Sequence, residues 1–193
     1  MKHLLPLVCL GLIVSFATGQ NSSTPGSPNA PDTKASLAAT LKLIQEQVNK
    51  QGQIRYTMTS KSTASGETVQ DKYLVETSNT VGDANSCSLQ VDARMVLNGV
   101  TQAQGRPVVS LRNIDGIIVK SQSQAIEEKT KQAGVKDWTG TISPESYMVQ
   151  AFQSGGLAGM FFFRDQEAAS LVAKDISRAV ELCGGRKSTF HAK

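Results

Sequence analysis

Two cysteines constrain the fold of this chain more than any other feature. Cys87 opens its most regular alternating segment, and Cys183 ends an amphipathic one. The chain begins with the pattern of an export signal, and disulfides persist in the oxidising compartments that exported proteins reach. We therefore expect a disulfide that joins a strand to a helix. Two free thiols, buried as small hydrophobic groups, remain the alternative.

The first residues have the layout of a secretory signal. The basic Lys2 precedes an apolar run at residues 4–16, and small residues at 17–19 form a cleavage site. The run is shorter than the roughly 20 residues that span a bilayer as a helix. We expect cleavage after Gly19, export to the periplasm or extracellular space, and a mature chain without a transmembrane segment. Retention of the signal as an anchor is the alternative, whereas Cys9 lies too far inside the apolar run to suit a lipid anchor.

The rest of the chain divides into a linker, a domain and a tail. Residues 20–34 are rich in Ser, Thr, Asn, Gly and Pro, and this composition predicts a disordered linker because it cannot bury a core. Residues 35–185 suffice for one globular α+β domain, and residues 186–193 are predicted to be a flexible basic tail. Fifteen basic residues balance fifteen acidic ones between positions 35 and 183. The domain is therefore not expected to bind nucleic acid.

Helical periodicity marks both ends of the domain. The first helix is predicted over residues 36–51, where the apolar residues share one face. The last helix is predicted to begin at Asp165, whose carboxylate caps it, and to stop at Gly184-Gly185. Both helices should cover the sheet with their apolar faces. These faces comprise Leu37, Leu41, Ile44 and Val48 in the first helix, and Ala168, Leu171, Val172, Ile176, Ala179, Val180 and Cys183 in the last.

Between the helices the apolar period changes to two, which is typical of strands. Asn98-Gly99 follows the most regular segment and predicts a tight hairpin. The run Phe161-Phe162-Phe163 indicates a strand that is buried on both faces. Short connections favour an antiparallel arrangement. The predicted strands lie at residues 54–58, 69–75, 87–97, 108–111, 117–121, 147–152 and 160–163.

A long connection over residues 122–145 contains the first candidate for a functional surface. It holds a predicted short helix at residues 125–132 and the single tryptophan of the chain, Trp138. Long loops in compact domains are often functional, so Trp138, with Lys136 and Asp137, is the predicted contact surface. The alternative is that Trp138 covers an open end of the sheet.

Histidine usage argues against most enzyme classes. The only histidine after the signal is His191, in the tail, so no Ser-His or Cys-His nucleophile system is expected. Neither a nucleotide-binding motif nor a metal-spaced cluster is present, and we predict no cofactor and no metal. A pair of carboxylates remains an enzymatic route. Adjacent Glu127 and Glu128 point in different directions on a helix, so no catalytic residue is predicted.

Two resemblances rest on these features. About seven antiparallel strands followed by one helix resemble the pleckstrin-homology-like barrel, which implies a scaffold that binds peptides or lipid headgroups in some relatives. The segment Ala-Val-Glu-Leu-Cys-Gly-Gly at 179–185, together with residues 40–46, is similar to a group of uncharacterised exported bacterial proteins. That similarity implies no activity and no site residues.

The expected fold is α+β, with an antiparallel sheet or partly open barrel of about seven strands, an N-terminal helix and a C-terminal capping helix. A helix-grip-like sheet is the alternative fold. The expected function is that of an exported, non-catalytic interaction domain whose partner is an unknown protein or lipid of the cell envelope. A carrier of a small apolar ligand or lipid between the sheet and the terminal helix is the second hypothesis, and a carboxylate-dependent enzyme is the third.

Overall fold

A computed structural model describes residues 31–132, 138–185 and 189–192 of this chain. Over these residues the fold is α+β, with three α-helices, one short 3-10 helix at Leu111–Asn113 and ten strands. The predicted signal peptide and its cleavage site lie outside the described residues. The helices are α1 (Pro31–Gln51), α2 (Gln122–Gln132) and α3 (Gln166–Leu182); the strands are β1 (Gln53–Ser62), β2 (Thr68–Asp83), β3 (Ser88–Leu97), β4 (Val100–Gly105), β5 (Val108–Ser110), β6 (Gly116–Ser121), β7 (Trp138–Ser143), β8 (Tyr147–Gln153), β9 (Gly156–Phe163) and β10 (Thr189–Ala192).

The strands form two sheets rather than one closed barrel. The six-stranded sheet has the order β4-β3-β2-β1-β7, with β5 also paired to β3, and the four-stranded sheet has the order β10-β6-β8-β9. All described pairings are antiparallel except that of β10 with β6. The antiparallel prediction is confirmed, but a single sheet or barrel of about seven strands does not describe this arrangement.

A first hydrophobic core lies between helices α1 and α3, one face of the four-stranded sheet, and strand β5 with the start of β3. The predicted apolar stripe of α1 is confirmed, since its four residues are at most 1% exposed. Helix α3 begins as predicted, because the Asp165 Oδ1 accepts a hydrogen bond from the Ala168 amide at 2.7 Å. The prediction that Leu171 lies on the buried face of α3 is wrong. Its side chain is 46% exposed, because the buried face is centred on Ala169 and Ala173. These small residues let the helix approach its neighbours closely.

A second core fills the space between the two sheets. Tyr56 of β1 and Tyr73 of β2 meet Met148 of β8 and Phe162 of β9 there. The neighbours of Phe162 in sequence, at positions 161 and 163, belong to the first core instead. The prediction that Phe161-Phe162-Phe163 is buried on both faces is therefore confirmed, and the four-stranded sheet is the middle layer of the fold at this point.

The predicted disulfide joins Cys87 to Cys183, whose Cα atoms are 5.8 Å apart and which are separated by 96 residues of chain. Both side chains lie in the first core. Cys87 precedes β3 rather than opening it, and it has a φ of 53° in a turn. The bridge therefore fixes the start of β3 against the end of α3.

Sequence periodicity missed three edge strands and misjudged some boundaries. Strands β4 and β7 together bury only one described side chain, so their sequences lack the clean alternation of strands packed on a core. Strand β10 occupies residues 189–192, within the predicted flexible tail. Helix α1 begins at Pro31 rather than residue 36, which suits proline because the first helical turn needs no amide donor. Helix α2 begins at Gln122 rather than residue 125.

Candidate functional site

The six-stranded sheet presents one face to solvent. In β1, Ile54, Tyr56 and Met58 are buried in the second core, whereas the alternate residue Arg55 is exposed. Paired residues lie on the same face of a sheet, so the strand register extends this alternation across neighbouring strands. We call the solvent side the outer face. It comprises Gln53, Arg55, Thr57, Thr59 and Lys61 of β1, Gln70, Lys72, Leu74, Glu76 and Ser78 of β2, Asp92, Arg94 and Val96 of β3, Thr101 and Gln104 of β4, Arg106 after β4, and Thr139, Thr141 and Ser143 of β7.

A shallow depression of about 700 Å³ on the outer face is lined by ion pairs. The Arg94 Nη1 lies 3.1 Å from the Glu76 Oε2, and the Arg106 Nε lies 2.9 Å from the Asp92 Oδ1. Arg94 also donates two hydrogen bonds to the Thr101 hydroxyl. The two acids and two arginines of this ion-pair depression thus neutralise each other.

A second depression, of about 420 Å³, has a different character. Arg55 and Lys72 line it and are exposed, while Leu74 and Val96 lie side by side and are recessed, Val96 being 6% exposed. Arg55 donates to the Gln53 amide oxygen at 3.0 Å, and over the described residues neither Arg55 nor Lys72 has a carboxylate within ion-pair distance. We call this the cationic depression.

Two stacked tyrosines support the sheet beneath the cationic depression. The rings of Tyr56 and Tyr73 are 4.9 Å apart at their centroids and inclined by 8°. Burial raises the pKa of the Tyr56 phenol well above its ordinary value, the neighbouring Tyr73 adds to the effect, and the side chain of Gln122 opposes it. The Tyr56 phenol is therefore a neutral structural group, and the charge at this site comes from the opposite side of the same strands.

Charge is distributed unevenly between the outer face and the remainder of the domain. The outer face has five basic and two acidic residues, a net charge of +3. Because residues 35–183 contain fifteen of each sign, the remainder has ten basic and thirteen acidic residues, a net charge of −3. A positive face on a neutral domain attracts anionic groups. The basic residues are Arg55, Lys61, Lys72, Arg94 and Arg106, and the acidic ones are Glu76 and Asp92.

One of the three predicted contact residues, Trp138, lies at one border of this sheet. Trp138 begins β7, and its backbone pairs with that of Ser62 in β1. Trp138 is therefore part of an edge strand and not of a long loop. Lys136 and Asp137 lie outside the described residues, so the predicted contact surface of these three residues stays a prediction.

Sequence reasoning missed the cationic depression. The segments of β1 and β2 were predicted from their apolar positions, yet Arg55, Lys61 and Lys72 occupy the alternate polar positions. These basic residues at outward-facing positions were the available signal for a cationic surface. Only the strand pairing shows that Leu74 and Val96 complete the same surface, because these residues are far apart in sequence.

Within the described ranges, no helix combines the length and the apolar character needed to cross a bilayer. The same ranges contain no group of three or more His, Cys, Asp or Glu residues placed to hold a metal ion. Comparisons with protein-family models, with curated proteins and with solved structures give no match for this chain.

Proposed function

We propose that this chain is a non-catalytic interaction domain of an exported protein and that its partner binds the outer face. One observation carries the proposal: positive charge is concentrated on the outer face although the domain as a whole is neutral. The two depressions described above also open on that face. A surface with this charge distribution favours association with an oppositely charged partner.

The acids of the outer face support binding over catalysis. Glu76 and Asp92 each lie beside an arginine at ion-pair distance. A pair of catalytic carboxylates requires one acid that gives up a proton and another that acts as a base or nucleophile. In the described structure each of these acids is instead engaged by its own arginine.

The disulfide supports the exported location, since such bridges are rare in reducing compartments. The proposal includes a signal cleaved after Gly19 and a partner in the cell envelope. It also includes the likeness to exported bacterial proteins and the likeness to pleckstrin-homology-like domains. The antiparallel strands that precede α3 favour the second likeness, whereas the division into two sheets does not favour it. Mass spectrometry of the protein recovered outside the cytoplasm tests cleavage, and a mature chain that starts anywhere but Gln20 contradicts the assigned site.

The hypothesis of an apolar-ligand carrier gains no support from the region below α3. Side chains fill the space between α3 and the four-stranded sheet, and Val149, Ala151, Phe163 and Ile176 are 0% exposed there. A carrier needs a cavity of a few hundred Å³ for a small ligand. The described depressions lie on the outer face instead.

Position-specific photo-crosslinking tests the proposed binding surface. A photoreactive amino acid is placed at Gln70 or Thr141, which are exposed on the outer face, or at Lys174 or Glu181, which are exposed on α3. The full chain is then expressed in its native host and irradiated. We expect one discrete crosslinked product from the outer-face positions and none from the α3 positions. Equal crosslinking at all four positions, or crosslinks from α3 alone, contradicts the proposal.

A further inference from the structure

We propose that the cationic depression binds an extended acidic segment of a partner protein, with glutamates at positions i and i+2 of that segment paired to Lys72 and Arg55. This inference rests on the proposed function of the outer face and specifies the chemistry of the partner. It follows from which cations are free, how they are spaced and what lies between them.

The first step is the availability of the cations. Arg94 and Arg106 already have carboxylate partners at 3.1 and 2.9 Å. Arg55 and Lys72 are exposed and have no such partner over the described residues. An incoming carboxylate therefore gains a charge-assisted hydrogen bond at Arg55 or Lys72 without displacing another carboxylate.

The second step is spacing. Arg55 is paired with Leu74, and Lys72 is paired with Thr57. The two cations therefore lie in successive outward-facing rows, about 6.7 Å apart along the strands, and on adjacent strands, about 4.8 Å apart across the sheet, an offset that long side chains can span. An extended peptide that runs along the strands repeats its side chains on one face at the same interval, because it also advances two residues per repeat. Acids at i and i+2 thus match both cations, whereas adjacent acids point to opposite faces.

The third step is the recessed apolar floor. Leu74 and Val96 are neighbours in the row that contains Arg55. Glutamate reaches a cation through two methylene groups, which can cover this floor while the carboxylate stays at the rim. A membrane is a poorer match, since interfacial binding requires apolar side chains that protrude between the cations. In the cationic depression Val96 is instead recessed, with 6% of its surface exposed, so it does not protrude toward a membrane.

Peptides of matched composition provide the test. The probes are capped nine-residue peptides labelled with a fluorophore: one with Glu-Thr-Glu at its centre, one with Glu-Glu-Thr, and one with Gln-Thr-Gln. Fluorescence anisotropy measures binding to the folded, disulfide-intact chain. We expect the Glu-Thr-Glu peptide to bind roughly tenfold more tightly than either control, and added salt to weaken it because exposed charges are screened. Equal binding of the two glutamate peptides overturns the inference.

Charge-reversed variants locate the site. Arg55→Glu with Lys72→Glu is expected to reduce affinity for the Glu-Thr-Glu peptide by at least about tenfold, since two attractive contacts become repulsive. Lys42→Glu with Lys174→Glu changes the net charge equally on exposed positions of the helices and should retain affinity within about twofold. The charge-conserving pair Arg55→Lys and Lys72→Arg should also keep binding. An equal loss in both charge-reversed variants contradicts the assigned site.

Vesicles that contain phosphatidylglycerol distinguish a membrane partner. Cosedimentation with these vesicles, in the absence of Glu-Thr-Glu peptide binding, overturns the acidic-segment inference. If crosslinks persist at Gln70 and Thr141 while none of the peptides bind, the outer face remains a binding surface and only its assigned partner chemistry fails. If the crosslinks are also absent from those positions, the proposed function fails as well.

Discussion

Gly82 lies where helix α1 rests directly on strand β2. A Cβ atom at this position would be 2.7 Å from the Cβ of Leu41, and Leu41 is 1% exposed in the first core. We expect Gly82→Ala to lower the free energy of unfolding by about 1–3 kcal/mol, because the Cβ of Leu41 is fixed by the helix backbone and α1 or β2 must shift to make room. Urea unfolding of the oxidised protein measures this change.

Gly105 offers a matched control in the same sheet. A Cβ atom there would have no other heavy atom within 4 Å. Gly105→Ala should therefore change the free energy of unfolding by no more than about 0.5 kcal/mol. A similar loss in both variants would mean that β-sheet backbone effects, and not contact with α1, explain the result at Gly82.

Tyr56 links pH to stability through its burial. Its pKa is raised in the folded state, so above about pH 10 the unfolded chain loses the phenolic proton before the folded chain does. The contribution of Tyr56 is complete below that pH and is lost as the pH rises toward the folded pKa. We expect the free energy of unfolding to fall between about pH 9 and about pH 11, and to fall less in Tyr56→Phe, which has no titrating phenol. Denaturant titrations of both proteins at each pH measure the difference. Parallel curves would contradict a coupling through Tyr56.

At the scale of elements, the disulfide determines how α3 is held. It connects the end of this helix to the turn before β3 and closes a loop of 96 residues. We expect the double variant Cys87→Ala and Cys183→Ala to lose about 2–4 kcal/mol of stability, chiefly because its unfolded chain is less constrained. Denaturant unfolding under non-reducing conditions measures this loss.

Reduction of the wild-type protein is the companion measurement. With a thiol reductant present, the wild type should unfold at the midpoint of the double alanine variant. An unchanged midpoint after complete reduction, verified by mass spectrometry, would show that the bridge contributes no stability.

The elements that the sequence predicts well are those with a core to pack against. Leu37, Leu41, Ile44 and Val48 mark α1 because one whole face of that helix is buried. Asp165 marks the start of α3 because its carboxylate accepts a backbone hydrogen bond. Strands β4 and β7 are not predicted because nearly all of their described side chains are exposed or half-buried, so apolar alternation is absent from their sequences.

At the scale of the whole molecule, the candidate site depends on strand pairing, which periodicity does not supply. Arg55 and Lys72 belong to different strands, and Val96 belongs to a third. Each is an ordinary polar or apolar position within its own segment. Their common surface follows only from the register of β1, β2 and β3, together with a division into two sheets that sequence reasoning did not foresee.

The middle position of the four-stranded sheet has a consequence for how the molecule exchanges its amide hydrogens. Strand β8 is paired with β6 on one side and β9 on the other, and its residues Val149 and Ala151 are 0% exposed. Its amides should exchange only when the entire domain opens, whereas those of edge strand β4 should exchange through local fraying. Hydrogen exchange followed by NMR is expected to rank β8 slowest, with protection equal to the global free energy of unfolding. Faster exchange in β8 than in β2 would contradict this ranking and would show that the last part of the fold to open is the six-stranded sheet.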